Sequence, residues 1–178
     1  PTDTSEKELE RMIVRYLAGI SEHPPVATLA EPATAIYAPG GYVLGRAKDY
    51  NRDVALDVVQ LLAFLQATQA KAVATLELAS EGMKRTQFLH RVQGEITKRG
   101  VVDVLRKGVS HGPVHVDLYK LLPTPGNASA AEAFAKNIFS VTRQVRYSND
   151  SSNELDLVIF INGLPLLTFE LKNSLTKQ

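Results

Sequence analysis

The sequence predicts an α/β (α+β) domain with a mixed central sheet flanked by helices, on three observations. Apolar residues recur at helical spacing through the first hundred positions and alternate at strand spacing after that. Asn162-Gly163 lies between two apolar runs, a strong short signal for a β-hairpin. The chain has 178 residues, 44% of them hydrophobic, which is enough for one domain with a core. Helices first and a sheet-forming half closed by a hairpin fit a single layered domain over residues 1–178.

The elements follow in order. Ser5 with Glu8 three residues on is a helix-start signal, and Leu9, Met12, Ile13, Tyr16 and Leu17 continue at helical spacing to a stop at Gly19. Residues 20–50 carry Pro24, Pro25, Pro32 and Pro39 and read as irregular, with the tightest turn at Tyr37–Tyr42. A second helix is expected from about Arg52 to Gln66, with Val54, Val58, Leu61, Leu62 and Leu65 inward. Lys71–Leu78 and Lys84–Lys98 read as helices, the latter burying Phe88, Leu89, Val92 and Ile96 and ending at Gly100. Val114–Tyr119 alternates like a strand, Ala130–Asn137 is a short alanine-rich helix, and Phe139–Tyr147 is strand-like with Thr142, Arg143 and Arg146 at polar positions.

The hairpin that follows carries acid where an apolar side chain would pack better. Its strands read as apolar on both faces, as in a buried central sheet, and an ionised group there is costly unless paired or bound to metal. Asp156 stands near the start of the first strand, and Glu170 and Lys172 stand two apart at the end of the second. Strand side chains alternate faces, so Glu170 and Lys172 share one. Two carboxylates and an ammonium at one end of a hairpin can hold a divalent cation and orient a water, the chemistry of a metal-dependent phosphodiesterase. Register decides whether the acids meet. A plain two-residue Asn162-Gly163 loop sets Asp156 opposite Phe169, on the wrong face from Glu170; a loop one residue longer, or a bulge in either strand, sets Asp156 opposite Glu170. An odd loop or a bulge is therefore expected. Internal pairing of Lys172 with Glu170 or Asp156 is the structural alternative.

The totals bound the rest. Lys plus Arg number 20 and Asp plus Glu 19, so the total charge does not indicate a strongly basic nucleic-acid binder, and DNA contacts must be local or come from partner domains. There is no cysteine, which excludes disulfides and thiolate zinc sites and fits a reducing cytoplasm. No apolar run approaches the ~20 residues that span a bilayer, so no membrane partner is expected.

Asp156, thirteen residues and then Glu170-Leu171-Lys172 follow the pattern of the PD-(D/E)xK nuclease superfamily, and the longer string from Asn153 through Asn162-Gly163-Leu164-Pro165 to Asn173 closely resembles the nuclease domain of the restriction (R) subunit of type I restriction-modification enzymes. Ser5–Glu10, Tyr50–Asp53 leading into Leu61–Gln69, and Gly100–Gly108 are similar to that family as well. The resemblance implies a restriction-endonuclease-like fold and an endonuclease that cuts duplex DNA after ATP-driven translocation. In that reading Asp156, Glu170 and the carbonyl of Leu171 hold Mg²⁺, and Lys172 orients or helps deprotonate the attacking water. Glu10 matches an acidic residue on the first helix that approaches the metal, with a solvated glutamate beside Arg11 as the plain alternative. ATP belongs to the full-length subunit, since no Walker-type sequence occurs in these residues. The implied partners are DNA and the methyltransferase and specificity subunits, in a prokaryotic cytoplasm. The chain is read as an N-terminal fragment of a larger motor subunit, whose helicase-like ATPase domains and Gln-x-x-x-Tyr motif would follow Gln178.

Other groups are weighed beside these. Lys98, Arg99, Arg106 and Lys107 form the densest basic clusters and, with Arg143 and Arg146, are candidates for phosphate contacts; a solvated face is the alternative. Gly40, Gly41, Tyr42 and Arg46 could approach a DNA backbone or form a plain turn. His23, His90, His111 and His115 show no zinc spacing. A non-catalytic docking scaffold of the same fold is the competing function, and a standalone DNA-repair or Holliday-junction nuclease a lesser one.

Overall fold

The computed structural model describes residues 6–19, 41–150 and 152–172. Among them a four-stranded mixed sheet runs in the order β1 (Val43–Leu44), β6 (Phe139–Arg146), β7 (Glu154–Ile161), β8 (Leu164–Phe169). β1 pairs with β6 in parallel, and the other two pairs are antiparallel. Two small antiparallel ladders, β2 (Tyr50–Asn51) with β3 (Leu56–Asp57) and β4 (Val109–His111) with β5 (Val114–Val116), lie outside this sheet. The helices are α1 (Glu6–Ala18), α2 (Val58–Thr68), α3 (Ala70–Thr75), α4 (Met83–Arg99), α5 (Val101–Lys107) and α6 (Ala128–Phe134). The expected mixed sheet flanked by helices is therefore present.

The largest core joins α2, α3, α4 and α5 to the β4–β5 ladder and to the turn end of the β7–β8 hairpin. Leu56, Leu61, Phe64, Phe88, Val92, Val104, Leu118 and Leu164 are sealed from solvent there. Each such side chain contributes about 1.5–3 kcal/mol relative to exposure. A separate cluster lies under α1, where Val14 packs with Val141 and Leu157 and with the half-buried Ile13, Leu17, Phe169 and Leu171. Val158 and Phe160, which alternate with Leu157, cluster instead with Val145, Tyr50 and Leu155.

Several expectations are corrected. Of the residues at helical spacing in α1, Ile13 and Leu17 pack inward beside the buried Glu10 and Val14, while Leu9, Met12 and Tyr16 face solvent. The tertiary position of the sheet, not the count of apolar residues, chooses the face. The second helix begins at Val58 and not near Arg52, because Asp57 caps it by accepting from the Gln60 amide at 3.0 Å, and residues 50–57 form the β2–β3 ladder. α5 and β4 lie beyond the elements expected from the sequence, and Gly100 (φ 81°) and Gly108 (φ 65°) punctuate them. Thr142 is buried, not polar-facing. β8 is the outer strand, with Leu167, Thr168 and Glu170 exposed, so only β7 is the buried strand the apolar pattern suggested. Ser5, most of the Tyr37–Tyr42 turn, Gly40, His23 and Asn173 lie outside the described residues.

The Asn162-Gly163 turn joins the two halves. Both residues have positive φ, 50° and 82°, as a type I′ turn requires. Asn162 is buried: its Oδ1 accepts from the Ile138 amide at 2.6 Å, and its Nδ2 donates to Leu118 O and to Asn137 Oδ1, both at 2.9 Å. Gly163 O accepts from the Asp57 amide at 2.9 Å, and a Cβ on Gly163 would stand 2.2 Å from Asp57 O. Only glycine fits so close an approach at that φ.

Candidate functional site

The two acids of the hairpin lie at its open end, five residues along β7 from the buried turn, or about 17 Å at the rise of a strand. The loop is the plain two-residue one, but the strands do not stay in its register. Ile161 pairs with Leu164 and Phe160 with Pro165; beyond a shift between Phe160 and Ile159, Ile159 pairs with Leu167, Val158 with Thr168 and Leu157 with Phe169. Leu166 is the extra residue, a β-bulge of the kind the register argument required. Continuing this register sets Asp156 opposite Glu170, where a regular hairpin would have put Phe169. Pro165 is tolerated because β8 is the outer strand.

Asp156 is half-buried, and its Oδ2 accepts from the Leu171 amide at 2.7 Å. The carboxylate is thereby tied to the residue between Glu170 and Lys172. Leu171 packs into the α1 cluster, while Glu170 and Lys172 are exposed. Among the described residues no ion pair engages Asp156, Glu170 or Lys172, so the internal pairing weighed as the structural alternative is not formed there.

The remaining candidates are placed elsewhere or otherwise engaged. Glu10 is neither solvated nor part of a carboxylate trio. It is 3% exposed, it accepts from Arg143 Nε and from Gln144 Nε2 (the latter at 2.9 Å), and no group of three His, Cys, Asp or Glu poised for a metal occurs among the described residues. Arg143, a candidate phosphate contact, donates its Nε to Glu10 while its side chain stays 41% exposed. Arg146 reaches across to Glu154 at 3.1 Å on the exposed surface. Arg99 is held by Glu95, Asp103 and the Gly108 carbonyl, and Lys107 by Asp103, so half of the basic cluster is structural; Lys98 and Arg106 are exposed. Arg46 pairs with Asp49 at 2.7 Å. His111 packs edge-on against Phe88, and His115 stands near Ser110 and Asp117 on an exposed ladder.

Three residues that matter here carried weak or overlooked signals. Asp57 followed by Gln60 before an apolar run is a capping signature, which the apolar spacing back to Val54 obscures. Burial raises the Asp57 carboxyl above the ordinary range, partly offset by its bonds to the α2 amides. Gln144 has φ 52°, which no sequence rule forecasts for a glutamine within a strand. Leu166 looks like any other strand leucine, and only the requirement that the acids meet pointed to a bulge.

The fold defines the class first: an α/β protein with a mixed four-stranded sheet and helices around it. The family is settled by sequence comparison: residues 46–178 match the family described as Type I restriction enzyme R protein N terminus, and the chain belongs to it. That family is the N-terminal nuclease region of an R subunit that works in a complex with other subunits. No curated protein and no solved structure matches the chain. α1 and β1 precede the matched stretch. No helix among the described residues is long and apolar enough to cross a membrane.

Proposed function

We propose that this region is the metal-dependent DNA endonuclease module of its R subunit, with Asp156, Glu170 and Lys172 as the catalytic residues. The bulge at Leu166 carries the reading, because it brings Asp156 opposite Glu170 at the cost of a regular ladder. The donor set suits Mg²⁺, which takes one or two carboxylates and keeps several waters, so the lack of a three-acid group is no objection. Asp156, Glu170 and the Leu171 carbonyl would hold the ion, which when bound supplies charge neutralisation at a phosphodiester and lowers the pKa of water.

The chain's own groups divide the remaining work. The Leu171 amide occupies Asp156 Oδ2 and fixes the carboxylate's orientation, leaving Oδ1 outside that bond. Lys172, two positions beyond Glu170 and without an acidic partner among the described residues, offers donors to an attacking water or to the charge that builds on the phosphate oxygens. Duplex DNA is the substrate, ATP serves domains of the full-length subunit, and the methyltransferase and specificity subunits are its partners, with the specificity subunit choosing the site.

The test uses the full-length subunit in its assembled complex. Asp156→Ala and Lys172→Ala should each lower DNA cleavage by about 10²–10³-fold or more while ATP hydrolysis persists. Cleavage at the wild-type rate in either variant would sink the assignment and favour a docking scaffold, as would Mn²⁺ binding that is the same in the wild-type and Asp156→Asn complexes.

A further inference from the structure

Two acids are buried among the described residues, Glu10 and Asp57. Asp57 is explained by the start of α2. Glu10 lies within α1, away from either end of that helix, and reaches across to β6. Its two carboxylate oxygens are both engaged, one by Arg143 Nε and one by Gln144 Nε2.

The place it grips is the flank of the hairpin's acid. β6 and β7 pair Arg143 with Leu157 and Val145 with Leu155 in unchanged register, so Gln144 is the residue opposite Asp156. That position is skipped in the ladder, and there Gln144 adopts φ 52°, a left-handed conformation that a non-glycine residue holds only when its surroundings impose it. The other flank is Leu171, whose amide bonds Asp156 and whose side chain packs in the α1 cluster beside Ile13, Val14 and Leu17. One helix thus touches both neighbours of Asp156, through a buried carboxylate on the β6 side and through apolar packing on the β8 side.

We infer that α1 is the brace of the catalytic hairpin and that Glu10 is its positioning residue. Glu10 locks the Arg143–Gln144 kink so that Asp156 is released from β6 and presented toward Glu170. This rests on the nuclease reading above. It gives Glu10 a different part from direct metal ligation, and it gives Arg143 a different part from phosphate binding. Outer partners that orient metal ligands typically carry 10–100-fold in activity or metal affinity.

The experiment compares Glu10→Ala, Arg143→Ala and the double variant in the full-length complex, with Glu10→Gln as the shape-preserving variant should Glu10→Ala fail to fold. The brace predicts that each single variant slows single-turnover cleavage about 10–100-fold and raises the Mg²⁺ concentration for half-maximal cleavage. DNA affinity stays within about twofold. The double variant is no slower than the slower single, because the two residues act through one contact. Hydrogen exchange at residues 169–172 quickens by about tenfold in both singles, at matched conditions without metal, since this is the segment Asp156 ties down. Glu10→Gln falls between wild type and Glu10→Ala. An inactive Glu10→Ala beside a wild-type-like Arg143→Ala would overturn the brace and make Glu10 a metal ligand. Slowed cleavage with unchanged exchange at residues 169–172 would overturn it as well. If the wild type and Lys172→Ala cleave equally, the nuclease reading has failed instead, and exchange alone decides whether Glu10 holds the hairpin.

Discussion

Two regions of this molecule use the same residue types to opposite ends. Along α4 and α5, Arg91, Glu95, Arg99, Asp103 and Lys107 stand four apart and form an unbroken chain of ion pairs across the Gly100 break, with Arg99 also donating to the Gly108 carbonyl at 2.8 Å. At the open end of the β7–β8 hairpin, Asp156, Glu170 and Lys172 lie within a few residues of one another by register. Yet among the described residues the one side-chain hydrogen bond of these three groups is the one Asp156 accepts from the Leu171 amide. The helical charges answer each other and fasten two helices. The hairpin charges make no ion pair among the described residues, which is what the proposed cation and phosphate site would require. A dense basic run in a sequence is therefore a poor guide to a binding surface, since Arg99 and Lys107 are taken up by their own helices.

The comparison can be broken from either side. The largest effect is expected from inserting one alanine after Thr168, between the bulge and the site. With the bulge kept, Phe169 would replace Glu170 opposite Asp156, and cleavage should fall by about 10²-fold or more although all three side chains remain. Arg99→Ala, the matching disruption of the helical network, should lower the melting temperature and leave cleavage per folded molecule unchanged. A cleavage defect there as large as that of the insertion would erase the distinction.

Next in size is Gly163→Ala. Adding a Cβ forces it to within 2.2 Å of Asp57 O and 2.7 Å of Leu61 N. Together with the positive φ this should cost about 3 kcal/mol of stability, measurable by denaturant unfolding. A loss near zero would mean that the turn is not the anchor of the hairpin.

The smallest effects concern pH. Glu95 is held below the ordinary carboxylate range by its hydrogen bond to Arg99, helped by the Arg91 charge, and Asp103 by its bonds to Lys107 and Arg99. Lowered folded-state values mean stability that is present above the unfolded carboxylate range and is lost as pH falls through the folded values. Arg99→Ala should flatten that acid-side decline. Asp57 runs the other way: burial raises it, so its contribution is complete below the unfolded value and is lost as pH rises through the folded one. Asp57→Asn should remove this loss while keeping a side-chain oxygen for the α2 amides. Unfolding curves between pH 3 and about 7 separate the two slopes.

What the sequence disclosed depended on how local the cause was. The hairpin, the α4 core stripe at Phe88, Leu89 and Val92, and the Gly100 stop are written in neighbouring residues and match the structure. α1 is legible as a helix but its buried face is not, because Leu9, Met12 and Tyr16 are as apolar as Ile13, Val14 and Leu17, which pack inward. Which stripe is covered depends on β6 and on the Arg143 that draws Glu10 inward. The acids of the hairpin were visible as misfits in apolar strands, and their alignment followed from counting. Their neighbours are not legible locally: Glu10 enters only through the family resemblance, Gln144 not at all, and the two meet across 134 positions of chain.

The bulge at Leu166 changes what the spacing of this motif means. The thirteen residues between Asp156 and Glu170 resolve into ten that pair across the hairpin and three that do not, namely Asn162, Gly163 and Leu166. The three unpaired residues are interchangeable bookkeeping for the ladder: a three-residue turn with straight strands would align the same acids over the same distance in sequence. An insertion in the turn can therefore be cancelled by loss of the bulge. The spacer length by itself does not reveal which of the two a given hairpin uses, and deleting Leu166 alone should leave Asp156 facing Glu170 in a regular ladder.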